Sequence, residues 1–159
     1  MSFEHFREAQ ANRSSGYETA LAEIRSGGKR THWIWYIFPQ IEGLGRSSMA
    51  RAYALRDLAQ ACAYLREPVL RARYEEISAA VSEQLARGNS LEHIMGSRID
   101  AQKLVSSLTL FRAAAETLAA EDPVFAALAD RCAALLQQTA GQGYQACSHT
   151  IAKLSARSG

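Results

Sequence analysis

Leu104, Leu108, Phe111, Ala115 and Leu118 recur at intervals of four, three, four and three residues, the period of an α-helix with one apolar face. Such a helix, capped by Ser97, must lay its stripe against other elements to be stable in water. Little else in the chain favours a sheet to receive it. Valine and isoleucine together supply only 12 of the 159 residues, against 29 alanines and 16 leucines, so strand formers are scarce and strong helix formers abundant. The expected fold is all-α: one compact domain over residues 1–159, with about seven to nine helices and enough chain to bury a sizeable core.

Local signals place most of those helices. Phe3 and Phe6 predict a short first helix to about Ala11, and Ser14 or Ser15 can cap a second in which Tyr17, Leu21 and Ile24 face inward. Gly27 and Gly28 supply its end. Asp57 caps a helix with Leu58, Cys62 and Leu65 inward. Pro68 stops it and opens a long one through Val69, Tyr74, Ile77, Val81 and Leu85 to Gly88. Asn89 or Ser90 starts a short piece ending at Gly96. Asp122 and Pro123 begin a helix with Phe125, Leu128, Cys132 and Leu135 inward, and a weaker helix occupies about 144–156 after Gly141 and Gly143. No internal repeat, low-complexity tract or linker interrupts the chain.

Residues 29–56 break the pattern. Four of the chain's 13 aromatics, both tryptophans among them, lie within residues 33–38. Local propensity favours a strand there, but a lone strand has nothing to pair with. A short buried helix is the expected form, capped by Thr31 and ended by Pro39. Trp33, Ile34, Ile37 and Phe38 suit the hub of a core otherwise built from alanine and leucine. Trp35 and Tyr36 carry polar hydrogens that need partners when buried.

Gly43, Gly45, Arg46, Ser47 and Ser48 then precede a helical stretch from Met49 to Leu55. Glycines, hydroxyls and an Arg before a helix start suit an anion cradle, and Ser47 or Ser48 equally suits an ordinary N-cap. A dinucleotide-binding G-x-G-x-x-G needs a third glycine where Ser48 stands, so no cofactor is expected. Arg25, Lys29, Arg30, Arg46, Arg51 and Arg56 against Glu42 give this region +5, while the whole chain carries +2. That local field suits an anionic ligand or a solvated basic face. A second polar cluster, Asp100, Lys103 and Ser107 on one helical stripe with Ser106 and Thr109 beside it, reads either as tolerated packing or as a polar pocket.

These segments resemble a family of small bacterial proteins classed as domain-of-unknown-function family eighteen-ten. The matching residues are Lys29, Arg30, His32, Trp33, Trp35, Phe38, Pro39, Gln40, Gly43, Leu44, Gly45 and Ser47. They continue with Tyr53, Ala54, Ala63, Tyr64, Leu65, Pro68, Val69, Leu70, Gly96 and Ser97. The last block is Asp100, Lys103, Leu104, Ser106, Ser107, Thr109, Leu110 and Phe111. The resemblance runs from about residue 3 to 128; the Gln-rich helix and the tail beyond depart from it. It implies a compact helical fold and no established activity. Some members carry the label calpastatin, but inhibitors of that name resemble disordered repeat chains, unlike this sequence.

The function expected first is a polar and aromatic pocket for an anionic small molecule, a nucleotide or ADP-ribose-like compound. Lys29, Arg30, Trp33, Trp35, Gln40, Gly43, Gly45, Arg46, Ser47 and Ser107 are its candidate contacts, and His32, Asp100 and Lys103 its candidate acid, base or catalytic groups. The alternative class is a non-catalytic interaction module, a homodimer included, using an apolar patch that the core leaves uncovered. Nucleic-acid binding is not expected, because the basic excess is local and no helix-turn-helix or zinc-finger spacing occurs. Metal binding is not expected either, since His5, His32, His93 and His149 lie far apart. Three unpaired cysteines, no leader pattern and no long apolar run fit a cytoplasmic protein without a membrane partner.

Overall fold

The structure, a computed structural model, describes residues 2–156; Met1 and residues 157–159 of the expected domain lie outside them. In chain order the helices are α1 (Glu4–Gln10), α2 (Tyr17–Arg25), α3 (Ile34–Ile37), α4 (Ser48–Tyr53), α5 (Leu58–Arg66), α6 (Pro68–Ala86), α7 (Leu91–Met95), α8 (Arg98–Leu118), α9 (Pro123–Ala140) and α10 (Ser148–Ala156). No strand occurs among the described residues. One isolated parallel bridge joins Ile41 to Leu55, with Glu42 N donating to Leu55 O at 2.8 Å and Leu55 N to Gln40 O at 2.9 Å.

α8 is the axis of the fold. The Ser97 hydroxyl accepts from Asp100 N and starts it, and its whole stripe from Leu104 to Leu118 is buried. Residues 119–122 fold it back on α9, which Asp122 caps and Pro123 opens. α5, α7, α10 and α3 pack on its other sides, and α6 closes the core against α2 and α9. The hydroxyls midway along α8 are accommodated by its own backbone: Ser106 Oγ donates to Gln102 O and Thr109 Oγ1 to Val105 O. Ser107 Oγ pairs with the buried Tyr74 hydroxyl.

A chain of ring contacts crosses the core. Phe6 meets Tyr64 at 5.2 Å, Tyr64 meets Phe111 at 5.3 Å, Phe111 meets Tyr74 at 4.6 Å and Tyr74 meets Phe38 at 5.6 Å between ring centres. Phe38 in turn touches Trp33. The aromatic segment is therefore tied to α8 through Phe111, and these tilted and edge-on pairs add to the burial of large apolar surfaces.

Three local expectations differ from the structure. Gly16, not Ser14 or Ser15, precedes α2. Asn12 Oδ1 collects Ser14 N, Ser14 Oγ and Ser15 N in a turn of its own, and a Cβ at Gly16 would lie 2.1 Å from Asn12 O. Thr31 does not cap α3, which begins after Trp33 without a side-chain cap, because the Thr31 hydroxyl is held by Glu23. Val69 is exposed, because it is Leu70, the next residue in the first turn of α6, that turns into the core.

Phe111→Ala removes the ring that joins Tyr64 to Tyr74. It is expected to lower unfolding stability by about 3–5 kcal/mol, read as a lower urea midpoint at unchanged slope, while Val69→Ala stays within about 0.5 kcal/mol of wild type.

Candidate functional site

α2 ends at a left-handed Gly27 (φ 107°), and the chain then runs irregularly to Trp33 across the top of α2. Glu23 organises that run. Its carboxylate accepts from Arg30 N at 2.8 Å, Thr31 N at 3.0 Å, Thr31 Oγ1 at 2.8 Å and the Trp33 indole N–H at 2.9 Å. Burial pushes the Glu23 carboxyl up, but these donors outweigh it and hold it below the usual carboxylate range.

Lys29 ties the same segment to the start of α8. Its backbone N–H donates to Ile94 O at 2.8 Å. Its ammonium donates to Thr31 O, sits 2.8 Å from Asp100 Oδ2 and lies over the Trp33 ring. The side chain is only 5% exposed. Gly96, with φ 82°, is required here: a Cβ would lie 2.8 Å from Lys29 O. Asp100 Oδ1 also faces Lys103 Nζ at 3.4 Å, and Lys103 Nζ in turn lies 4.3 Å from the centre of the Trp35 ring.

Lys29, Trp33, Trp35, Asp100 and Lys103 thus come together. The first two are committed internally: Trp33 is fully buried with its indole bonded, and Lys29 has its charge answered by Asp100. Other candidates lie apart. His32 and Arg30 are exposed, and Ser107 is in the core against Tyr74. Arg46 is exposed on the loop, and the Ser47 hydroxyl accepts from Ala50 N as the N-cap of α4.

Beside this cluster a cavity of about 420 Å³ opens between Trp35, Gln40, the loop 42–45 and α4. Gln40 is 3% exposed and its Nε2 has no hydrogen-bond partner among the described residues. The Trp35 ring forms a wall, closely apposed to Gly45, where a Cβ would lie 2.8 Å from the ring and 2.7 Å from the Ala50 Cβ. α10 steadies the loop from behind: Lys153 Nζ donates to Glu42 O at 3.1 Å and His149 Nε2 lies 3.2 Å from the same oxygen. Arg51 lines the cavity and has no ion-pair partner among the described residues. No group of three or more His, Cys, Asp or Glu placed to hold a metal occurs among the described residues.

Residues 1–143 match the family described as "Protein of unknown function (DUF1810)". The chain belongs to that family. The match continues past Leu128, where the resemblance was expected to end. A solved structure, the conserved hypothetical protein Rv1873 of Mycobacterium tuberculosis, is similar at 35% identity and a TM-score of 0.78, over 96% of this chain and 95% of that one. No curated protein matches.

Two residues of this DUF1810 chain escaped the reading of its sequence as site residues. Glu23 lies just outside the basic window that drew notice, and nothing local marks it as the acceptor for residues 30–33. Arg51 was visible only as one charge among six; its place on the helix after the glycine loop was the available signal.

Glu23 yields a pH signature. Because its folded pKa is depressed, its contribution to stability is complete above the unfolded value of about 4.3 and is lost as pH falls through the folded value. Thermal unfolding of wild type and Glu23→Gln is expected to differ at pH 7, and the difference to shrink as pH falls below the unfolded value of about 4.3. A difference that stays constant over that window would contradict the assignment.

Proposed function

We propose that this protein binds an anionic small molecule with a planar portion, a nucleotide or ADP-ribose-like compound, in the cavity between Trp35, Gln40, the loop 42–45 and α4. The observation that carries the reading is the Gln40 amide: a buried donor without a partner costs about 1–3 kcal/mol, and a ligand carbonyl or ring nitrogen supplies the missing acceptor. Three further features support it. Arg51, which shares the cavity lining with Glu42 but forms no ion pair among the described residues, is suited to a phosphate or carboxylate. Trp35 presents a half-buried indole for stacking or edge contact. The volume of about 420 Å³ falls in the range of small-molecule sites.

The reading is one of binding. His32 and Asp100, the groups considered for acid or base work, are not among the residues lining the cavity, and Asp100 is held between two ammonium groups. The interaction-module alternative has less behind it: the exposed large apolar side chains Met49, Val69, Ile99 and Ile151 sit on four different helices. No helix among the described residues is long and apolar enough to cross a membrane, and the free thiols of Cys62, Cys132 and Cys147 suit the reducing cytoplasm, the compartment we assign.

Thermal shift and calorimetry with adenosine monophosphate, ADP-ribose and sugar phosphates test the proposal. A ligand at a hundredfold its dissociation constant is expected to stabilise the wild type by about 2.7 kcal/mol. Arg51→Ala is expected to weaken binding about tenfold or more, and Gln40→Leu to weaken it without lowering the stability of the free protein. No shift with any of these compounds, or the same shift in both variants, would count against the cavity.

A further inference from the structure

Among the described residues three glutamines are buried, Gln10, Gln40 and Gln84, at 4%, 3% and 4% exposure. Two of them use both ends of the side-chain amide. Gln10 Nε2 donates to Tyr36 O at 2.9 Å and to the Tyr64 hydroxyl at 3.2 Å, and its Oε1 accepts from Arg73 Nη1 at 3.0 Å. Gln84 Nε2 donates to Arg25 O at 3.0 Å, and its Oε1 accepts from Asn89 Nδ2 at 2.7 Å. Gln40 uses neither end. Its Nε2 has no partner, and its Oε1 accepts no hydrogen bond, among the described residues.

The backbone around Gln40 is pinned without that amide. Gln40 O accepts from Leu55 N at 2.9 Å and Glu42 N donates to Leu55 O at 2.8 Å. Glu42 O accepts from Lys153 Nζ at 3.1 Å, with His149 Nε2 3.2 Å away. A buried primary amide that holds no part of the fold keeps a donor and an acceptor side by side at the cavity it lines. Turned over, it offers the same pair in the opposite order, since no protein partner fixes it. The other lining groups limit what can meet the pair. Lys103 Nζ lies 4.3 Å from the centre of the Trp35 ring, and Gly45 packs so close that a Cβ there would lie 2.8 Å from the ring. A flat ligand suits a wall held in this way. The charged lining residues, Arg51 and Glu42, are exposed, whereas Gln40 is buried. Charge is therefore met at the mouth and hydrogen-bond pairing at the floor.

We propose that Gln40 is the specificity-determining residue of this cavity, reading a planar heterocycle whose edge carries an adjacent donor and acceptor: the base of a nucleoside monophosphate that enters base first and leaves its phosphate at the mouth with Arg51. The inference rests on the binding function proposed above and adds the orientation of the ligand and the group that selects it. The 6-amino group of adenine and the ring nitrogen beside it make such a pair, the amino N–H donating to Oε1 and the ring nitrogen accepting from Nε2. A purine without the amino group leaves Oε1 unpaired at the floor, and a sugar phosphate has no planar edge to present.

Three compounds serve as probes in calorimetry: adenosine monophosphate, purine riboside monophosphate, which lacks only the 6-amino group, and ribose 5-phosphate. The wild type is expected to bind adenosine monophosphate about tenfold or more tighter than purine riboside monophosphate, and ribose 5-phosphate more weakly still. In Gln40→Leu, and in Gln40→Met, which keeps an unbranched side chain, the two purine compounds are expected to bind equally. Arg51→Ala is expected to weaken both and to keep their ratio. Equal binding of the two purine compounds by the wild type, ribose 5-phosphate binding as tightly as adenosine monophosphate, or a ratio that survives in both Gln40 variants would overturn the inference while leaving a ligand in the cavity. Absence of binding by all three compounds would instead defeat the binding function itself, and this inference with it.

Discussion

Four hydrogen-bond donors converge on the Glu23 carboxylate, and the placement of the whole aromatic segment depends on that convergence. It holds residues 30–33 against α2 without any regular structure and delivers Trp33 to the core with its indole satisfied. Lys29 fixes the same segment to α8 through Asp100 and to α7 through Ile94 O. With both anchors in place, α3 can bury Ile34, Tyr36 and Ile37, and Phe38 reaches Tyr74 and the ring chain beyond it. Gln40 and Glu42 then pair with Leu55, which sets the loop 42–45 opposite α4 and opens the cavity. A nearly buried ammonium is tolerated here because a carboxylate, a carbonyl and an indole face all attend to it.

That arrangement revises the meaning of the local positive charge. The excess over residues 25–56 looks like an open field in sequence. In space Glu76 lies 3.9 Å from Arg25, and Asp100 answers Lys29. What remains unanswered at the cavity is Arg51. The tryptophans divide in the same way: Trp33 belongs to the core, whereas Trp35 carries Lys103 on its ring and turns towards the loop.

The helical frame was legible in the sequence because its signals are local. Asp57, Ser90, Ser97 and Asp122 cap the helices they were expected to cap, and the stripes of α8 and α9 are buried as their spacing requires. Gly27, Gly88 and Gly96 end or follow helices in the left-handed conformation that favours glycine. Two of the failures come from a competing acceptor: Glu23 takes Thr31 from α3, and Asn12 takes Ser14 and Ser15 from α2. The juxtaposition of Lys29, Trp33 and Trp35 with Asp100 and Lys103 followed from the motifs read together, whereas Arg30 and His32 of the same motif lie apart. The lone amide of Gln40 and the cavity beside it lie within residues 35–54, but they depend on how that irregular segment pairs back on Leu55, which no spacing rule encodes.

In the ligand site we propose, the Gln40 amide, unpaired among the described residues, is the floor and Trp35 the wall. Nuclear magnetic resonance of the Gln40 side-chain NH₂ and the Trp35 indole N–H, during titration with adenosine monophosphate and ADP-ribose, tests it most directly. These two signals and those of Gly43 and Gly45 are expected to shift together and saturate with one dissociation constant, while the Trp33 indole, bonded to Glu23, stays in place. Shifts confined to other parts of the surface, or a Gln40 amide that never responds, would contradict it.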